Sequence, residues 1–258
     1  MPDTAHTLSK KVALITGGSG DIGEAVCFAF AAAGARMMLM DTDKARGKDI
    51  ETRLKKEGCE ARFHKGDTGK TYDVKKALAE IEEIFGTLDI LVNNASHPLM
   101  KSLEDTSEEE WDRVMEMNLK GAFLAVKYSL PLLRRGDGGR IINISSVYGL
   151  VGAANQAAYG AAMGGMISLT RHLAAELAPE GITVNCLSLG GVETSTTRHY
   201  VRTSQDPEDA ERRLMASMPL KRLASPREAG KMALFLAGED TGFCTGANLV
   251  IDGGFTAI

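Results

Sequence analysis

Short apolar runs alternate with longer amphipathic stretches along the whole chain. Val12–Thr16, Arg36–Asp41, Ala61–Gly66, Leu88–Asn93, Arg140–Ser145, Thr183–Ser188 and Asn248–Asp252 read as strands. Helical spacing fills most of the gaps, most clearly over 106–133 and 156–177. Ser107 and Glu110 carry the spacing of a capping box near the start of the first of these. Strands alternating with helices predict a parallel sheet covered by helices on both faces, an α/β fold. No internal repeat, low-complexity segment or linker divides the chain, so 1–258 reads as one domain. Residues 1–10 read as a flexible N-terminal segment. Residues 195–219, polar and rich in Arg, read as a lid.

Composition narrows the class. The 258 residues suffice for one large α/β domain. A net charge of −4 with both signs interspersed gives no footprint for nucleic acid or an anionic membrane. The first residues lack the apolar core of a signal peptide, and no apolar run is long enough to span a bilayer. Cys27, Cys59, Cys186 and Cys244 are scattered without metal-ligand spacing, so a reduced, cytoplasmic setting and no metal site are expected.

The first strand runs into Thr16-Gly17-Gly18-Ser19-Gly20-Asp21-Ile22-Gly23. A Gly-rich turn between strand and helix lets backbone amides approach a pyrophosphate, aided by the helix dipole. By itself such a turn is a weak signal, but its place at the first strand–helix junction favours dinucleotide binding. Asp21 is also a candidate cap of the helix that begins there. Asp41 ends the second strand, at the interval expected for a carboxylate that accepts from the adenosine ribose and repels a 2′-phosphate. With no basic residue in the Gly-rich turn, NAD is expected rather than NADP.

The stretch from Ile141 to Leu177 holds the candidate chemistry. A strand end carries Ser146, and Tyr159 follows on the next helix. A hydroxyl and a phenol presented at the ends of parallel strands can hold and protonate a carbonyl oxygen. These residues, with the Gly-rich turn and Asn93-Asn94-Ala95-Ser96, resemble the short-chain dehydrogenase/reductase family over nearly the whole chain. The resemblance implies a single-domain, Rossmann-like, doubly wound, seven-stranded parallel sheet in the order 3-2-1-4-5-6-7. It implies an NAD(P)-dependent oxidoreductase that interconverts a secondary alcohol and a ketone, and a homotetramer built on two long helices.

The family's site residues carry over as follows. Asn118, Ser146 and Tyr159 are catalytic, with Asn118 bending its helix and holding a water. Gly17, Ser19, Gly20, Asp21, Ile22, Gly23, Asp41, Asp67, Thr68, Asn94, Tyr159, Gly190, Val192 and Thr194 bind the cofactor. His97, Tyr148, Gly191 and His199 are candidate substrate contacts, and Arg198 and Arg202 on the lid are candidates to meet an acidic substrate. Ser96 stands where the family has Gly. Leu189 stands where it has Pro, which predicts a freer loop there. The sharpest departure is Met163, at the position of the family's lysine. A thioether has neither donor nor charge. Tyr159, ordinarily titrating near ~10, is then expected to stay protonated. A non-redox elimination or isomerisation, or a non-catalytic NAD sensor, are the alternative readings.

Overall fold

The computed structural model describes residues 8–136 and 138–257. Strand and helix alternate as β1 (Val12–Thr16), α1 (Asp21–Ala32), β2 (Arg36–Asp41), α2 (Lys44–Lys56), β3 (Ala61–Lys65), α3 (Thr71–Phe85) and β4 (Ile90–Asn93). Next come α4 (Glu108–Met115), a π-helical turn (Glu116–Lys120) and α5 (Gly121–Leu133). They are followed by β5 (Arg140–Ser146), a 3₁₀ turn (Val147–Gly149), α6 (Ala157–Leu177) and β6 (Thr183–Leu189). The helices α7 (Ser195–Thr203) and α8 (Pro207–Ala216) precede α9 (Pro226–Ala237) and β7 (Asn248–Ile251). The sheet order is β3-β2-β1-β4-β5-β6-β7, with every pair parallel.

The central strands β1, β4 and β6 are buried on both faces, as parallel strands between helix layers must be, while the edge strands β3 and β7 are partly open. Ala13, Ile15, Met37 and Leu39 pack with Val26 and Phe30 of α1, Ile50 of α2 and Ala233 of α9. Val12, Leu14, Met38 and Met40 turn the other way, onto Val74 and Ile81 of α3, Leu124 of α5 and Leu177 of α6. Each large side chain so buried contributes roughly 1.5–3 kcal/mol. The chain order reverses between β1 and β4, and sheets of this kind open a crevice there at the carboxyl ends of the strands.

Three expectations need correction. The strand over 183–188 extends through Leu189, which pairs with Ser146 and Ile251 and is buried, so this position is strand rather than a freer loop. Leu has the N–H and the extended backbone that Pro restricts. The flexible 1–10 segment lies, for residues 1–7, outside the described residues; Leu8 is buried and its N–H donates to Ala33 O, so the chain is anchored from there. Asp21 is the first residue inside α1, after Gly20, and makes no capping bond.

The run over 106–133 is helical from Glu108 onward but is not one regular helix. The Ser107–Glu110 capping box starts it. At the π-helical turn, Asn118 Nδ2 donates to Val114 O at 2.8 Å. A side-chain amide that takes a carbonyl one turn back competes with the backbone and widens the coil.

Candidate active site

At the switch point the Gly-rich turn, the end of β2 and the first turn of α7 form a cleft of about 300 Å³. Gly17 has φ +63°, and a Cβ there would meet Ala95 Cα at 2.7 Å, so only glycine lets β1 turn this closely past β4. Thr16 Oγ1 accepts from the amides of Asn94 and Ala95, and Asn94 Nδ2 donates to Gly17 O at 2.9 Å. The end of β4 therefore braces the turn. Asp41 accepts from Ser19 N and Asp43 N, both at 3.0 Å, which aims its carboxylate at the cleft. A side chain at Gly20 would meet nothing nearer than Gly17 O at 3.4 Å, so the wall is open to a ligand there. Backbone amides at a helix start, an open glycine wall and a carboxylate at the end of β2 fit a nicotinamide dinucleotide.

Asp21 departs from that pattern. Its carboxylate accepts from Arg46 Nη2 at 2.7 Å and from Ser195 N and Oγ at 2.6 and 2.7 Å. It thus ties the start of α1 to α2 and to the first turn of α7. Burial would raise its pKa, but the Ser195 and Arg46 hydrogen bonds outweigh this and hold it down at about 2. The residue is an anion at every working pH.

Ser146 and Tyr159 meet at the inner end of the cleft. Two close approaches set their geometry. Ser145 Oγ donates to Met163 O at 3.0 Å, pinning α6 to β5. Gly149 lies directly on the α6 backbone, where a Cβ would meet Met163 C at 2.7 Å. Ser146 Oγ accepts the Tyr148 N–H at 3.3 Å, which leaves its own proton to donate outward. Burial pushes the Tyr159 phenol above its ordinary value, and the hydroxyls of Ser96 and Ser146 beside it pull less strongly the other way. Met163, one helical turn further on, is 2% exposed and supplies no cation.

Asn118 is buried and its amide is saturated. Oδ1 accepts from Ser96 Oγ at 2.8 Å and His97 N at 3.0 Å, while Nδ2 donates to His97 O and Val114 O. The side chain staples the loop after β4 to the helix, and its amide has no bond left for the expected water. Ser96, absent from the sequence-derived site, therefore links Asn118 to the neighbourhood of Tyr159.

Gly17, Gly20, Asp21, Ile22, Asp41, Asn94, Gly190, Val192 and Thr194 line the cleft with Tyr159, as do Ser96, Ser195 and Thr197. Ser19 lies behind Asp41, and Gly23 packs on Gly17. Asp67 and Thr68 stand apart from this wall. Asp67 bonds Gly69 N and Arg113 Nη2, and Thr68 is buried under Gly121. Beyond Ser146 and Tyr159 the cleft opens into a second pocket of about 380 Å³, walled by Tyr148 and Gly191 but also by Met100, Tyr200, Met218 and Phe255. His97 and His199 are exposed and stand off that wall. The wall residues beyond the lid's start come from scattered single apolar positions, which carry no periodic signal; Thr197 was readable as the third residue of a capping box begun by Thr194.

A family model described as enoyl-(acyl carrier protein) reductase matches residues 18–256. An uncharacterized oxidoreductase of Thermotoga maritima is 37% identical over 96% of this chain and 98% of its own. The cyclopentanol dehydrogenase of a Comamonas species is 36% identical over 97% of this chain and 98% of its own. Among solved structures, a putative gluconate dehydrogenase from Agrobacterium tumefaciens superposes with a TM-score of 0.93 at 29% identity, covering 98% of this chain and 99% of that one.

Proposed function

The chain belongs to the short-chain dehydrogenase/reductase family, and on that premise we propose that it interconverts a ketone and a secondary alcohol with NAD(H), working best in reduction. The observation that carries this is the placing of Ser146 and Tyr159 where the dinucleotide cleft meets the second pocket. The bound nicotinamide supplies or takes up the hydride. Ser146 donates its free proton to the substrate oxygen and fixes it against the phenol. Tyr159, kept neutral by burial and by the lack of a neighbouring cation, passes its proton to that oxygen in reduction. Oxidation needs the phenolate, which this site disfavours. Similarity to a cyclopentanol dehydrogenase supports alcohol–ketone chemistry. NADH consumption with a panel of ketones tests the reading, and binding of NADH without turnover of any of them would leave a sensor in its place.

Asp41 supports NAD over NADP, because its carboxylate would face a 2′-phosphate. Asp41→Ala is expected to narrow the NAD/NADP affinity ratio by about tenfold, equivalent to roughly 1.4 kcal/mol. Titration of both cofactors measures it, and tighter NADP binding by the unaltered protein refutes the assignment.

A homotetramer is the proposed assembly. The open face of α4, the π-helical turn, the start of α5 and α6 forms a groove of about 990 Å³, with Met115, Leu119, Phe123 and Leu169 in its wall and Phe123 44% exposed. Apolar helix faces left open on a monomer mark interfaces. Light scattering is expected to give the mass of four chains, and a monomer at micromolar concentration sinks the proposal. All four cysteines are unpaired and no described helix is long and apolar enough to cross a membrane, which accords with the cytoplasmic setting we propose.

A further inference from the structure

We infer that the substrate is an uncharged, largely apolar ketone or alcohol carrying a ring, and not a keto acid, a phosphate ester or a free sugar. The inference rests on the oxidoreductase reading above and deepens it.

The pocket beside Ser146 and Tyr159 measures about 380 Å³, within the range of small-molecule sites. Leu99, Met100, Val147, Leu214, Met218 and Phe255 form the apolar part of its wall, with Gln156, Thr196 and Tyr200 among its polar side chains. Among the described residues no Asp, Glu, Lys, Arg or His lines it. Two cations of the flanking segments are engaged elsewhere. Arg198 faces Glu193 at 3.7 Å and Asp21 at 4.0 Å, on the dinucleotide side, and Lys101 pairs with Glu110 at 2.9 Å. A carboxylate or phosphate entering here loses its water and gains no counter-charge.

Several polar groups of the wall are already satisfied from within. Thr197 Oγ1 donates to Val192 O at 2.9 Å, and Ser217 Oγ donates to Leu214 O at 2.8 Å. A sugar would set some of its hydroxyls against the apolar part of the wall, out of reach of Gln156, Thr196, Tyr148 and Tyr200, at about 1–3 kcal/mol for each one left unpaired. One corner is rigid and aromatic. Tyr148 and Phe255 meet edge to face at 6.5 Å and 87°. Asp252 holds the turn that carries Phe255, accepting from Gly254 N, Thr256 N and Thr256 Oγ1. Such a corner suits the flat side of a ring.

The test pairs cyclohexanone and 2-decalone with keto acids of equal carbon number and with a ketohexose. The full chain is assayed with NADH, and the shift of the unfolding midpoint by each compound is recorded in parallel. The neutral ketones are expected to exceed the keto acids in kcat/KM by about 10²-fold or more, the scale set by unpaired buried polar groups. Tyr200→Arg, at the exposed mouth, and Leu214→Arg, on the wall, are each expected to narrow that ratio to under about tenfold, since each brings a counter-charge to the pocket. Equal or better use of a keto acid or the ketohexose by the unaltered protein overturns the substrate class and leaves the oxidoreductase reading intact. If no carbonyl is reduced but only the neutral ketones raise the midpoint, the oxidoreductase reading falls and the pocket's selectivity stands. Absence of both turnover and stabilisation overturns both.

Discussion

Tyr159→Phe is expected to lower carbonyl reduction by roughly 10²–10⁴-fold, the usual contribution of a positioned proton donor. The ring keeps its packing at the start of α6, and Ser146 keeps its place on β5, held through Tyr148 N and Ser145. The phenolic hydroxyl is lost, and with it the acidic proton and the bonds to the Ser96 and Ser146 hydroxyls. NADH affinity is expected to change less than about threefold, because in the proposed reading the dinucleotide is held mainly by the Gly-rich turn and Asp41. Steady-state kinetics with a fluorescence titration of NADH separates the two quantities. A loss under tenfold in kcat/KM would show that the substrate oxygen takes its proton from elsewhere, and the role given to Tyr159 would fall.

Met163→Lys is expected to act in the opposite sense, raising alcohol oxidation by about 10²–10⁴-fold. Residue 163 lies one turn after Tyr159 on α6, on the same face. A Lys stem follows the path of the Met side chain, and an ammonium there favours the phenolate. The rate of oxidation, which rises as Tyr159 ionises, should then begin its rise at lower pH than in the unaltered protein. The opposing cost is desolvation, since position 163 is 2% exposed. We expect a loss of about 1–3 kcal/mol in unfolding free energy. Oxidation rates over pH 6–10, with unfolding curves, measure both. A variant that binds NAD and oxidises nothing across a wide alcohol panel would end the dehydrogenase reading.

The strands, the sheet and the Ser146–Tyr159 pair were legible because each rests on local chemistry: short apolar runs, a glycine turn after a strand, and a phenol at helical spacing after a strand end. Other features depend on contacts distant in sequence. Asp21 and Ser195 are 174 positions apart, so nothing near Asp21 announces that it grips the lid. Ser96 looked like a mild departure from glycine. Its hydroxyl acquires meaning only once Asn118, 22 residues on, is folded beneath it. Likewise the apolar pocket draws Met100, Leu214 and Phe255 from three separate segments, each embedded in polar surroundings. Helix 106–133 was readable in extent but not in winding, because the π-helical turn arises from one side-chain amide finding Val114 O.

The bond from Ser145 has an evolutionary consequence. It grips the main-chain carbonyl of residue 163 and so is indifferent to which side chain that residue bears. The same holds for Gly149, whose nearest neighbours on α6 are backbone atoms of Met163 and Gly164. The frame that brings Ser146 to Tyr159 therefore places little selective pressure on the identity of residue 163. A lineage can shed a cation there, drift, and regain it by changing a single codon's worth of side chain, the backbone frame staying the same while stability shifts with the buried side chain. Chemistry at this site is mutable because its architecture is written in the backbone.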